Sequence, residues 1–279
     1  MTSSRHPADH RPLRIGVQLA PQHASYGAYR DAVLRAEDLG VDAVFNWDHF
    51  FPLTEPFEAA HFEAWTVLAA MAEQTERVEF GPLVNCSSYR NPDLQADMAR
   101  TVDHISSRAT GTGRLIFGTG SGWAQPDYDA YGYEFGTVGS RLDDLAEDLP
   151  RVRARWDRLN PPPTRRIPIL IGGQGERKTL RLVAQHADIW HTFTRLDDLD
   201  RKIGVLHEWC AREGRDPADI ELSTGYTVRG FGPLLENADA ASRLYDLGFR
   251  LIVPAIDGPD YDLAPVKALL EWRDRINGD

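Results

Sequence analysis

Cysteine and long apolar runs are scarce in this sequence of 279 residues, and each absence excludes a class of protein. The two cysteines, Cys86 and Cys210, are too few for a disulfide framework or a zinc cluster and are typical of a reducing compartment. No apolar run approaches the roughly 20 residues that a membrane-spanning helix requires. The polar start, residues 1–12, lacks the apolar core of a signal peptide, so we expect a flexible tail and a cytoplasmic protein.

Net positive charge is also missing. The 31 basic residues are outnumbered by 42 acidic ones, and the formal net charge of -11 argues against binding to nucleic acid or to an anionic membrane surface. Lysine occurs only as Lys178, Lys202 and Lys267, so a phosphorylated ligand would need basic groups placed locally. Nine histidines are present, but none shows a spacing typical of metal ligands, and we predict no metal site.

Apolar β-rich runs alternate with amphipathic helical patterns from residue 13 to the end of the chain. Eight strands each followed by a helix predict an α/β fold with a single (β/α)8 TIM barrel domain over residues 13–279. The predicted strands are 13–19, 41–45, 77–84, 114–118, 167–171, 187–192, 220–228 and 248–254. The predicted helices are 26–39, 59–76, 92–105, 140–159, 178–186, 197–213, 234–247 and 265–276.

A glycine cluster follows the fifth predicted strand and precedes a helix. Gly172, Gly173 and Gly175 would let an anion approach backbone amides at a helix N-terminus, and Arg177 and Lys178 could contact a phosphate. The P-loop pattern fails because Arg177, not Gly, precedes Lys178, and the third glycine of the Rossmann fingerprint is missing. The turn predicts a phosphate-binding site, although an ordinary strand-to-helix turn has the same pattern.

Other candidate residues follow the remaining strands, where barrel enzymes gather their active sites. His49 is the strongest candidate for proton transfer, with a structural histidine as the alternative. Asp48 could orient it, but neighbouring residues on extended chain point in opposite directions, so a direct pair is not implied. Cys86 is better explained as a small buried residue than as a nucleophile. Trp123 could stack on a ring or cover the barrel.

Five motifs in order resemble the luciferase-like monooxygenase superfamily, and within it the coenzyme F420-dependent oxidoreductases. They are residues 40–50, 81–92, 118–123, 131–142 and 168–176. The resemblance implies a luciferase-like barrel whose cofactor ring lies over a bulge after strand three, with a cis peptide bond at Leu83-Val84. It also implies that Asp48 and His49 lie near the reactive edge of the ring, and that the turn from Gly172 to Arg177 holds the cofactor phosphate.

These motifs give a set of expected site residues. The expected catalytic residue is His49, and the expected cofactor-binding residues are Asp48, Leu83, Val84, Asn85, Ser121, Gly122, Trp123, Gly172, Gly173, Gln174, Gly175, Glu176 and Arg177. The chain departs from the superfamily pattern in three places. The segment 107–113 is longer than usual, Trp123 stands where some members carry an acid, and the insertion before strand five is reduced to 160–166.

The resulting hypothesis is a coenzyme F420-dependent oxidoreductase that transfers a hydride between the deazaflavin and a small organic substrate. The main alternative is an FMN-dependent monooxygenase on the same barrel, using reduced flavin and oxygen. A non-catalytic barrel that binds a phosphorylated ligand and a metal hydrolase are the alternatives from other classes. The sequence leaves the substrate, the direction of hydride transfer and the oligomeric state open, with a homodimer as one option.

Overall fold

The structure, a computed structural model, describes residues 10–193, 195–227 and 238–278. Its strands are β1 (Arg14–Leu19), β2 (Ala43–Asn46), β3 (Glu79–Pro82), β4 (Asn85–Cys86), β5 (Phe117–Gly120), β6 (Ile169–Gly172), β7 (Ile189–Thr192), β8 (Glu221–Thr227) and β9 (Phe249–Ile256). Its helices are α1 (Tyr26–Leu39), α2 (Ala64–Gln74), α3 (Pro92–Ser106), α4 (Gln125–Tyr131), α5 (Val138–Trp156), α6 (Thr179–His186), α7 (Leu199–Glu213), α8 (Ala238–Asp246) and α9 (Ala264–Asn277).

The strands form one parallel sheet that closes on itself. Their order is β3-β2-β1-β9-β8-β7-β6-β5-β4, and every pairing in it is parallel. Phe80 of β3 closes the ring, since its amide donates to Arg114 O at 3.2 Å and its carbonyl accepts from Ile116 N at 2.8 Å. The predicted barrel is therefore confirmed.

The third predicted strand, residues 77–84, is divided in the structure. β3 and β4 lie on either side of Leu83-Val84, whose peptide bond is cis, at the position that the resemblance implied. β3 pairs with β2, and β4 pairs with β5 instead. Within the described residues the sheet thus has nine strands where the sequence predicted eight, because the third predicted strand bends at Leu83-Val84.

Alternating side chains separate the barrel interior from the layer under the helices. Ile15, Val17 and Leu19 of β1 belong to the main apolar core with the helices. A second cluster fills the interior and contains Ala43, Phe45, Leu83, Ile116, Leu170, Ile189, Leu251 and Val253. At the carboxyl ends of β5 and β6 the interior positions are Gly120 and Gly172, which leave space there. This is the end at which barrel enzymes bind their ligands.

Capping residues explain where several helices begin. The Glu63 carboxylate accepts from the amides of Trp65 and Thr66, so α2 begins at Ala64 rather than at the predicted residue 59. Thr137 and Ser140 form a capping box that starts α5 before the predicted residue 140. α4 was not predicted. The predicted start of α8, residues 234–237, lies outside the described residues, as do residues 1–9 of the predicted tail.

The long segment 107–113 lies at the amino-terminal end of the barrel, away from the glycine-lined end. Its last residue, Gly113, donates to Thr164 Oγ1 at 2.6 Å, and Thr164 in turn donates to Asp103 Oδ2. The segment therefore ties α3 to the connector before β6, a structural role. Among the described helices, none is long and apolar enough to cross a membrane.

Candidate active site

One cavity of about 490 Å³ opens at the carboxyl ends of the strands. It is lined by Gln18, Trp47, Asp48, His49, Leu53, Leu83, Val84, Asn85, Cys86, Tyr89, Gly120, Ser121, Gly122, Trp123, Gly172, Gly173 and Phe193. Most residues of the expected set are thus in one place. His49 and the start of the glycine turn share the cavity, whereas Gln174, Gly175, Glu176 and Arg177 lie beyond its lining.

His49 is held by a carboxylate from α4. Its Nδ1 lies 2.7 Å from Asp127 Oδ2, which also accepts from the Tyr89 hydroxyl at 3.0 Å. The other oxygen of Asp127 accepts from the amide of Phe50 at 3.2 Å. Burial alone would raise the pKa of Asp127, but the hydrogen bonds from His49 and Tyr89 outweigh it and lower that pKa below the usual range. In the neutral imidazole, an ionised Asp127 requires Nδ1 to carry the proton, and Nε2 is then the acceptor.

Asp48 has no hydrogen bond to His49 among the described contacts, in agreement with the alternation of side chains along extended chain. Its two oxygens form a bidentate pair with Arg90, at 2.7 and 3.0 Å, and one of them accepts from the Cys86 amide. Arg90 also donates to Glu63 at 2.7 Å. Burial raises the pKa of Asp48, and Arg90 opposes that shift. The arrangement fixes β4 and the loop after β2 against each other, so that Asp48 lines the cavity without orienting the imidazole.

The floor of the cavity is the bend between β3 and β4. Gln18 donates to Leu83 O at 2.7 Å and holds the carbonyl that precedes the cis bond. The Val84 side chain lies across two glycines, because a Cβ at Gly172 would come within 2.8 Å of Val84 Cγ1 and one at Gly120 within 3.0 Å of Val84 Cγ2. Glycine at both positions therefore lets the bend form a flat apolar surface over the barrel.

Two residues after the bend use their side chains for structure. Asn85 is fully buried, accepts from Trp65 Nε1 and donates to Gln95 Oε1, both at 2.8 Å. Only its backbone remains for a ligand. The Cys86 sulfur lies 3.1 Å from the Tyr128 hydroxyl, and burial raises the pKa of the thiol, which disfavours the nucleophilic thiolate.

The turn between β6 and α6 presents free amide donors. Gly173 has a φ of 137°, accessible to glycine, and its amide is already bound to His191 O. Among the described residues, no acceptor binds the backbone amides of Glu176, Arg177 and Lys178. No side chain caps α6, so these amides and the positive end of the helix dipole remain available to an anion.

Basic side chains surround this turn, but Lys178, which the sequence suggested as a phosphate contact, pairs with an acidic residue instead. Lys202 of α7 donates to Gln174 O at 2.9 Å and pairs with Glu176 at 2.8 Å, and Arg201 pairs with Glu176 as well. The Glu176 carboxylate therefore holds two cations beside the turn. Lys178 is bound to Asp143, whereas Arg177 is exposed and has no ion-pair partner among the described residues.

Trp123 contacts His49, whereas another histidine, His191, is not part of the cavity lining. The Trp123 ring lies edge-on to the imidazole, with 5.4 Å between ring centroids. His191 is buried in the barrel interior, where its Nδ1 lies 2.8 Å from Ser223 Oγ. Burial lowers the pKa of His191 to about 3, which favours the neutral form of this imidazole near pH 7.

The polar groups that hold Asp48 and His49 in place were not identified from the sequence: Asp127, Tyr89 and Arg90. Asp127 lies 78 positions after its partner and is on a helix that was not predicted. A usable signal was present, since α4 begins directly after the glycine-rich end of β5 and carries Asp127 in its first turn. Among the described residues, no three His, Cys, Asp or Glu side chains converge to hold a metal ion.

The comparisons with known proteins agree with this geometry. The family model of the luciferase-like monooxygenases matches residues 12–229. A relative in Amycolatopsis mediterranei, an F420-dependent glucose-6-phosphate dehydrogenase, is 31% identical over 146 residues, which is 52% of this chain and 42% of that protein.

Solved structures share the fold across almost the whole chain. One is an F420-dependent secondary alcohol dehydrogenase in complex with an F420-acetone adduct, at a TM-score of 0.78 and 18% identity, covering 94% of this chain and 98% of the other. Another is a long-chain alkane monooxygenase, at a TM-score of 0.71 and 11% identity. The match covers 95% of this chain and 90% of the other. The family match spans more than half of the sequence, so the chain is an oxidoreductase that belongs to the luciferase-like monooxygenase family.

Proposed function

We propose that the protein is a coenzyme F420-dependent oxidoreductase that transfers a hydride between the deazaflavin and a small organic substrate. The observation that carries the proposal is the shared cavity, which joins the His49-Asp127 pair to the flat floor at Leu83-Val84 and to the glycine turn. Relatives and structures named for F420 support the choice of cofactor. The cofactor would supply a ring carbon that accepts or donates hydride without reacting readily with oxygen.

The lining of the cavity supports the binding of a flat tricyclic ring. Its floor is the apolar bend at Leu83 and Val84, and the backbone at Gly120 and Gly172 adds no side chain that would block a flat ring. Pockets of this size are typical of small-molecule and cofactor sites, which range over about 300–1,000 Å³. The ring would lie over the bend, with His49 at one edge.

The phosphate of the cofactor would bind at the turn before α6. The free amides of Glu176, Arg177 and Lys178 and the uncapped helix end are donors for a phosphate oxygen. Lys202 and Arg201, held in place by Glu176, would supply positive charge. In this chain of net negative charge, basic groups gathered here support an anion at this turn rather than elsewhere.

His49 would move the proton that accompanies the hydride. Because Asp127 holds the proton on Nδ1, Nε2 can accept a proton from the substrate in one direction and return it in the other. Asp127 also stabilises the imidazolium that forms when Nε2 takes that proton. Trp123, packed against the imidazole, limits the access of water to that edge.

Anaerobic titration with oxidised F420 and with FMN tests the cofactor. We expect F420 to bind with a change in its absorbance and to quench tryptophan fluorescence, since Trp47 and Trp123 line the cavity. Lys202→Ala should weaken the binding of F420. The control is Lys267→Ala, which replaces a lysine of α9 and should leave F420 binding unchanged. Tight binding of FMN together with absence of F420 binding would overturn the proposal.

The second candidate is an FMN-dependent monooxygenase, favoured by the structural likeness to the alkane monooxygenase. The two functions differ in their use of oxygen. Substrate-dependent oxygen consumption with reduced FMN would support the monooxygenase, and turnover under strict anaerobiosis would support the F420 enzyme. His49→Ala separates both from a non-catalytic barrel, because an enzyme loses turnover and keeps cofactor affinity.

We also propose a cytoplasmic location and a homodimer. The described thiols of Cys86 and Cys210 are both free and buried, which suits a reducing compartment. Sedimentation velocity measures the assembly directly, and a monomer at micromolar concentration would contradict the homodimer.

A further inference from the structure

The mouth of the cavity above His49 carries large apolar side chains that are exposed to solvent. Leu53, Trp123 and Phe193 line the cavity, and their exposed fractions are 37%, 66% and 46%. Exposed apolar side chains that cluster around a cavity mark a surface that binds an apolar group. Because Trp123 also contacts His49, the apolar group would lie next to the atoms that react.

Basic side chains are absent from the cavity lining in the part of the chain that the structure describes. None of the residues that line the cavity is Lys or Arg. Arg90 pairs with Asp48 and Glu63, and Arg141 donates to Phe135 O and lies over the Phe135 ring, so both guanidinium groups are already engaged. A substrate phosphate placed here would lose water without gaining a charged partner, which is unfavourable.

The position of the His49 imidazole indicates which kind of reaction fits at the mouth of the cavity. His49 is hydrogen-bonded to Asp127 through Nδ1. Its Nε2 is therefore suited to accept the proton of a hydroxyl group. In alcohol oxidation the carbinol C–H bond breaks and its electron pair leaves with the hydrogen as hydride, accepted by oxidised deazaflavin. The O–H bond breaks as well, its proton goes to His49 Nε2, and the carbon–oxygen double bond forms. Carbonyl reduction is the reverse, with reduced deazaflavin as the hydride donor.

We infer that the substrate is an uncharged, largely apolar alcohol or the corresponding carbonyl compound, and not a phosphorylated sugar. The inference rests on the proposed function and narrows it. It separates this chain from the relative in Amycolatopsis mediterranei, whose name specifies a phosphorylated substrate and whose match covers 52% of this chain.

A substrate series tests the inference on the protein saturated with F420. The arms are 2-propanol, 2-butanol, 2-pentanol and cyclohexanol against glucose and glucose 6-phosphate, with formation of reduced F420 followed anaerobically. We expect kcat/KM to rise by about fourfold for each methylene that the mouth buries, and no turnover of glucose 6-phosphate. A higher kcat/KM for glucose 6-phosphate, or no turnover of any alcohol or of cyclohexanone with reduced F420, would overturn the inference.

Binding gives a second readout that does not depend on turnover. Calorimetry of cyclohexanone against the F420-loaded protein should show binding that Trp123→Ala weakens by about tenfold. Leu94→Ala removes an exposed apolar side chain of α3 outside the cavity and should leave binding unchanged. Equal effects of the two variants would contradict the assigned surface. Because the cofactor titration is performed separately, loss of F420 binding identifies failure of the proposed function rather than of the substrate class.

Discussion

Replacing Asp127 with Asn tests the geometry of the site most sharply, because both orientations of the new amide conflict with its neighbours. With the NH2 group toward His49, Nδ1 must become an acceptor and the proton moves to Nε2, which can then no longer accept one. With the amide oxygen toward His49, the NH2 group faces the amide donor of Phe50. Neither arrangement keeps both the tautomer and the hydrogen bonds of the wild-type protein.

The size of the effect follows from the charged hydrogen bond. A hydrogen bond to a charged group contributes about 1.5–3 kcal/mol, and about 1.4 kcal/mol corresponds to a tenfold change. We therefore expect Asp127→Asn to lower kcat by about 10- to 150-fold, with little change in the Kd for F420. The pH dependence of kcat should also change, because the variant lacks the Asp127 carboxyl group, whose pKa lies below the usual range.

Steady-state kinetics across pH, together with the F420 titration, measures this prediction. Asp129→Asn is the matched control, because Asp129 is exposed on the same helix and should leave kcat unchanged. A folded Asp127→Asn protein whose kcat stays within twofold of wild type would refute the role of Asp127. A merely structural role would instead lower thermal stability and leave the pH profile in place.

Three further substitutions have defined outcomes. Gly172→Ala should weaken F420 binding measured by calorimetry, because its Cβ would come within 2.8 Å of Val84 Cγ1 and displace the cavity floor. Arg90→Ala should lower the free energy of unfolding in urea by about 3–5 kcal/mol, since it leaves the buried Asp48 carboxylate unpaired; a loss below about 1 kcal/mol would show that this pair is weak. Burial and neighbouring acids raise the pKa of Asp148 to about 6. The protonated Asp148 therefore contributes stability that is fully present below about pH 3.9. This contribution is lost as the pH rises through about 6. Asp148→Asn should therefore raise the unfolding free energy at pH 7 but not at pH 4, and equal effects at both would contradict the shift.

Much of the fold could be predicted because its pattern is local. The alternation of apolar strands with amphipathic helices requires only neighbouring residues, and the barrel follows from their number and order. The division of the third strand at Leu83-Val84 could not be derived from apolar character, since Leu and Val suit an unbroken strand equally well. Only the resemblance to a known family indicated it.

The site was predictable where it depends on position along a strand and not where it depends on distant partners. His49 and Gly172 follow strands, so the barrel alone brings them to one end. The partners of these residues are set by packing of the loops: Asp127 reaches His49 from another helix, and Asn85 turns to Trp65 instead of the cavity. A pattern of residue types along the chain contains no information on those choices.

The rarity of lysine has a practical consequence. Two of the three lysines, Lys178 and Lys202, flank the turn before α6, and the third, Lys267, belongs to α9 on another part of the chain. An amine-reactive reagent therefore modifies few side chains in this protein, and most of them are beside the proposed phosphate. Protection of these two amines by added ligand, read by mass spectrometry against Lys267 as an internal reference, would map occupancy of the turn without any engineered label.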